Sequence, residues 1–170
     1  MDNTTGNTPS GGNSVSLPGR RLEAVHCLLI PLHEETMLLP NAAVAEVISY
    51  AEPDIIPDGP DWLLGWLSWR DRKVPLISFE VASGRHVPDD IQGNRIAVLN
   101  TLNSNPRVPY IAMMIQDIPK LHLVQPDSLT ERDDVNPRQS VVAQLLAEGA
   151  PVVVPDIDDL EMRVERLRSQ

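Results

Sequence analysis

Proline restricts this chain more than any other residue. Sixteen prolines are spread through 170 residues, well above the usual share of about 5 %. Each fixes φ and removes a backbone N–H, so the interior of a long helix is closed to most of the sequence. What remains open is a fold of short strands and many connections. The apolar runs agree. Residues 24–32 and 37–39 flank the polar stretch 33–36, which predicts a β-hairpin. Residues 44–50 form another run, in which Glu46 is the only charge. Residues 53–60 hold three prolines and read as extended or turning chain, with 58–61 able to open a single helical turn. Runs at 65–69 and 73–79 flank Arg70, Asp71 and Arg72, a charged hairpin tip. Short runs at 96–99, 110–115, 121–124, 141–146 and 152–154 follow, the last two around a Glu148-Gly149 turn. Segments 83–93, 102–107 and 125–138 read as polar loops.

The pattern changes after Pro155. Ile157, Leu160, Val164 and Leu167 recur at helical spacing and define one apolar face. Asp156 is placed to cap this helix, and Asp158 and Asp159 favour its positive end. Asp159 and Arg163 are spaced as an i,i+4 ion pair. The expectation is nine or ten short strands followed by one helix, in a barrel or sandwich. Residues 1–20 are rich in Asn, Thr, Ser and Gly and read as a disordered tail, leaving 21–170 as the folded domain.

Charge and composition narrow the function. A formal net charge of −10 disfavours nucleic acid and anionic membrane surfaces as partners. The single cysteine, Cys27, cannot form an internal disulfide and reads as a buried structural residue in a reducing, cytoplasmic setting. No apolar run reaches the roughly 20 residues a membrane span needs, and the N-terminus lacks a signal-peptide core, so no direct membrane insertion is expected. His26, His33, His86 and His122 are not spaced as metal ligands, and no nucleophile elbow or phosphate-binding glycine loop occurs. The acid cluster Asp156, Asp158, Asp159 and Glu161 is explained by a helix N-terminus more simply than by a metal. These readings predict neither catalysis, cofactor nor metal.

The most informative segment is 60–80, PDWLLGWLSWRDRKVPLISFE, which holds all three tryptophans with Arg70 and Arg72 beside them. Trp and Arg dominate binding hot spots, although a hairpin that simply buries its tryptophans explains the same residues. The segment resembles the signature of the CheW family of chemotaxis coupling proteins, W-[VI]-x-G-[VI]-[VIL]-N-L-R-G-x-[VI]-[VIL]-P-[VI]-[VIL]-D-[LF]. Trp62, Gly65, Trp66, Leu67, Arg70, Pro75, Leu76, Ile77 and Phe79 stand at matching places. Residues 44–48 resemble the family's V-x-E-I-I, 115–118 its V-D-x-V and 156–160 its closing L-D-L-x-K-L. Ser68, Trp69, Asp71, Ser78 and Gln116 depart from the pattern.

The resemblance implies an all-β fold of two intertwined five-stranded SH3-like β-barrels with a C-terminal helix. It implies a non-enzymatic adaptor without cofactor. The implied partners are the cytoplasmic tip of a chemoreceptor and a CheA-type histidine kinase, in a cytoplasmic chemosensory array that could serve type IV pili. The partner-binding residues it implies are Glu46, Val47, Trp66, Trp69, Arg70 and Asp71. Glu46 and Arg70 are expected to form a partly exposed ion pair, with Asp71 a competitor for the guanidinium. Strand alternation places Trp66 and Trp69 on opposite faces, one in the core and the other exposed. The alternatives are a barrel module of some other assembly and a small enzyme with dispersed carboxylates.

Overall fold

A computed structural model describes residues 23–87, 93–103 and 105–169. The tail expected over 1–20 lies outside the described residues. The strands are β1 (Val25–Pro31), β2 (Thr36–Pro40), β3 (Val44–Ser49), β4 (Leu63–Trp69), β5 (Arg72–Ile77), β6 (Arg95–Asn100), β7 (Tyr110–Ile115), β8 (Lys120–Val124), β9 (Leu129–Glu131), β10 (Val141–Ala147) and β11 (Ala150–Pro155). Two helices accompany them, α1 (Phe79–Ala82) and α2 (Ile157–Arg168), with a 3₁₀ turn at Asn41–Ala43 before β3.

The strands form two sheets, ordered β8-β1-β2-β11-β10-β9 and β3-β6-β7-β5-β4. The second sheet is built wholly from chain lying between β2 and β8, so one unit is inserted within the other. Each sheet curls around its own apolar interior. Cys27, Leu38, Val124, Ala147 and Val152, with Leu29, Leu129, Leu145 and Val154, fill the first and come from all six of its strands. Leu67, Trp69, Val74, Leu76, Ile96, Val98 and Ala112, with Ala45 and Ile48, fill the second and come from all five of its strands. A third and larger cluster lies between the two units and α2, and includes Ile30, Met37, Ile77, Phe79, Leu99, Ile111, Met113, Ile115 and Leu160, each 0 % exposed. Each such side chain contributes about 1.5–3 kcal/mol of hydrophobic stabilisation. Two small barrels thus share one core, the architecture expected from the resemblance.

The second barrel closes through a short seam. β3 and β4 are its edge strands, and Asp54, in the chain after β3, bridges to Trp66 of β4. Asp54 N donates to Trp66 O and Trp66 N to Asp54 O, each at 2.9 Å. Gly65 permits this approach: its φ is +145°, and a Cβ there would sit 2.4 Å from Asp54 O.

The differences from expectation have local causes. The first sheet gains a sixth strand, β9, inside the expected loop 125–138; it is only three residues long and pairs with β10. The run expected at 73–79 ends at Ile77, because Ser78 caps α1 with its side chain and turns the chain. Asp156 caps α2, accepting from Asp159 N at 2.9 Å. Asp159 and Arg163 do not pair directly. Ser140 Oγ donates to Asp159 Oδ2 at 2.6 Å and lies 2.7 Å from Arg163 Nη1, which also donates to Ala82 O. The acid cluster is engaged further along as well: Asn103 Nδ2 donates to Asp158 Oδ1 and Glu161 Oε2.

Polar contacts fasten the barrels at one end. Arg138 holds Glu35 through two bonds of 2.7 and 3.0 Å and donates to Ser83 Oγ at 2.6 Å. His33 N donates to the buried carboxylate of Glu80 at 3.0 Å. The turn after β1 and the chain before β10 thereby grip the α1 region of the inserted unit.

Candidate functional site

The charged tip of the β4–β5 hairpin is a two-residue turn. Arg70 and Asp71 have φ of 43° and 59°, and Trp69 faces Arg72 as the last strand pair. Positive φ at both central residues is the type I′ geometry, whose twist matches that of the flanking strands. It fixes the direction in which Arg70 leaves the barrel rim.

Glu46 approaches from the other edge strand. The β3–β6 register shifts between Val44 and Glu46, and such a bulge re-aims the side chains around it. Glu46 Oε2 accepts from Trp69 Nε1 at 2.9 Å and lies 3.0 Å from Arg70 Nη2. The Arg70 guanidinium sits 4.7 Å from the Trp69 ring centroid. Tyr110 meets that ring edge-on, with centroids 4.9 Å apart. One carboxylate therefore binds an indole N–H and a guanidinium that themselves stack, across the mouth of the second barrel. The Arg70 side chain is 66 % exposed and that of Glu46 is 36 % exposed. At such exposure the ion pair contributes about 0–1 kcal/mol. The cluster fixes a shape and presents a positive charge to solvent, and contributes little to folding.

The remaining expected site residues fall around this cluster or away from it. Asp71 is exposed and does not take the guanidinium, which goes to Glu46. Val47 is half-buried against the shared core. Trp66 and Trp69 do face different cores, but neither is exposed. Trp69 is 7 % exposed inside the second barrel, whereas Trp66 is half-buried against the shared core, beneath Arg168 at 5.2 Å. The correction follows from barrel closure, which gives both faces of β4 something to cover. Trp62 is covered similarly, by Arg163 at 4.6 Å.

Sequence reading missed several exposed apolar side chains near the junction of the barrels. Ile118, Leu121 and Leu123 are 57 %, 64 % and 45 % exposed, and Tyr50 at the end of β3 is 45 % exposed. Backbone bonds tie the end of β3 to β6 and β7 and the chain after β7 to β1: Tyr50 N donates to Asn94 O, Asn94 N to Ile115 O and Gln116 N to Pro31 O. The alternation of Leu121 and Leu123 about His122 was visible, but not which face the fold would cover.

A CheW-like domain model matches residues 26–163. The chain belongs to the CheW-like family. In a direct comparison, no curated protein matches it. Among solved structures its fold resembles that of the scaffolding protein TtCheW from Thermoanaerobacter tengcongensis, with 16 % identity and a TM-score of 0.64, over 78 % of this chain and 88 % of that one. The family match and the fold likeness each span most of the chain. No helix among the described residues is long and apolar enough to cross a membrane.

Proposed function

We propose that this CheW-like chain is a non-enzymatic coupling adaptor that holds the cytoplasmic tips of chemoreceptors against a CheA-type histidine kinase. The observation that carries the reading is the meeting of Glu46 and Arg70 at 3.0 Å over Trp69, from edge strand β3 and the β4–β5 turn, with the guanidinium mostly in solvent. A rigid charged rim on a small barrel suits recognition of a protein surface. The exposed side chains of Ile118, Leu121 and Leu123 suit the apolar stripe of a receptor helix. Assignment to cytoplasmic, membrane-associated receptor arrays rests on the same reading. Departures from the family signature at Ser68, Trp69, Asp71 and Ser78 fit a diverged member, such as one serving the array that governs type IV pilus motility.

Arg70→Ala tests the role. The variant keeps the wild-type unfolding midpoint, because an exposed pair of this kind contributes about 0–1 kcal/mol. Capture of detergent-solubilised receptor or of the kinase by the tagged adaptor falls about tenfold, as expected where an arginine anchors an interface. Unfolding of Arg70→Ala, or undiminished capture of both partners, contradicts the assignment.

A further inference from the structure

A second surface has the opposite character to the chain as a whole. A cleft between the start of β5, the loop before β7 and the last turn of α2 is lined by Arg72, Lys73, Arg107 and Arg168, with Pro75 and Tyr110 among its walls. No carboxylate among the described residues lines it, on a chain with a formal net charge of −10. Two of the four cations are partly neutralised from outside: Lys73 pairs with Asp54, and Arg107 lies 3.6 Å from Glu165. Arg72 and Arg168 have no carboxylate partner among the described residues. Arg168 instead lies over Trp66 and donates to Arg107 O, which holds its side chain in place. All four side chains are exposed at their residues. The cations are thus gathered on three separate elements by the fold, and two of them are left free.

Gathering like charges on an exposed surface is unfavourable unless an anion offsets them. Ring and proline walls beneath a cationic rim suit an extended polypeptide, whose backbone and apolar atoms lie on the walls while its carboxylates meet the rim. We propose that this cleft docks an acidic polypeptide segment of a protein partner. The occupant is an Asp- or Glu-rich stretch, held by Arg72 and Arg168 and steered in by Lys73 and Arg107. The inference does not depend on the coupling role. The cleft shares Arg72 and Lys73 with the rim at the β4–β5 tip, so an acidic segment seated there would approach that rim as well.

The test uses the full chain and an end-capped, fluorescein-labelled deca-glutamate peptide, followed by anisotropy. Binding is expected at low ionic strength and weakens steeply as salt rises to about 0.15 M, where charges are screened beyond about 8 Å. Arg72→Glu lowers affinity by about three- to tenfold, since it removes one exposed charge pair and adds a repulsion. Lys120→Glu, an equal charge reversal on exposed β8, leaves affinity within twofold of wild type (about 0.4 kcal/mol). Arg168→Gln repeats the loss without adding a negative charge and guards against a folding defect in the first variant. Absence of peptide binding by the wild-type chain overturns the proposal. So does equal loss in Arg72→Glu and Lys120→Glu, which would reveal a diffuse charge effect. Stronger capture by phosphatidylserine vesicles than by the peptide, lost in Arg72→Glu, would make the cleft a lipid surface and also overturn it. Receptor and kinase capture by Arg72→Glu, measured alongside, separates failure here from failure of the adaptor role.

Discussion

Replacing Gly65 with alanine tests how the second barrel is closed. The new Cβ would lie 2.4 Å from the carbonyl oxygen of Asp54, 2.9 Å from its carbon and 3.0 Å from Pro53 Cβ. All three belong to backbone or to a ring, so nothing there can rotate aside. The chain at 53–54 must retreat, and the two bonds between Asp54 and Trp66 are lost or stretched. Two backbone bonds at about 0.5–1.5 kcal/mol each give roughly 1–3 kcal/mol. Holding alanine at a φ of +145° adds about 1–3 kcal/mol. The expected loss is therefore about 2–6 kcal/mol, against a total stability of about 5–15 kcal/mol for a domain. Urea unfolding followed by tryptophan fluorescence measures it, since all three reporters lie in or beside the affected strand. Gly84→Ala is the control: its φ is +83° but a Cβ there meets nothing within 4 Å, so only the conformational cost of about 1–2 kcal/mol applies. If Gly65→Ala loses no more than Gly84→Ala, the close approach of Asp54 is not what this glycine serves.

Two further outcomes follow from local geometry. Asp71→Gly should raise stability by roughly 0.5 kcal/mol, a degree or two in Tm, because glycine relieves the left-handed turn at some entropic cost; a fall in Tm would show that the Asp71 side chain supports the tip. Cys27 is 6 % exposed and burial raises its thiol pKa, so iodoacetamide should alkylate the native protein far more slowly than the urea-unfolded chain at neutral pH. Equal rates would mean that the β1–β8 edge opens readily.

Much of this fold can be read from local chemistry. Short apolar runs between prolines mark most strands, Arg70-Asp71 marks the hairpin tip, and Asp156 with the spacing of Ile157, Leu160 and Val164 marks α2. The exceptions are elements whose reason for existing is distant. Leu129 is the only apolar residue of β9, which forms because β10 offers a partner, not because its sequence favours a strand. The arginines over Trp62 and Trp66 come from α2, so the sequence around the tryptophans cannot announce their cover. At the site, the family pattern pointed to Glu46 and Arg70, but the role of Trp69 as a third member depends on barrel closure. The basic cleft is drawn from three elements: Arg72 and Lys73 adjoin in the sequence, but Arg107 and Arg168 come from far along the chain and only the fold brings them alongside.

The nesting of one sheet inside the chain path of the other governs how the molecule is assembled. The inner barrel can organise from near neighbours, whereas the outer one needs β1 and β2 to await strands made much later. Synthesis on the ribosome would then present a finished inner barrel flanked by an unpaired hairpin until β8, β10 and β11 emerge. No cut at a single point could release either barrel as a complete unit. Loss of the last strands would strip the outer sheet and remove the helix covering Trp62 and Trp66, so damage at the C-terminus would be felt at the rim near the middle of the chain.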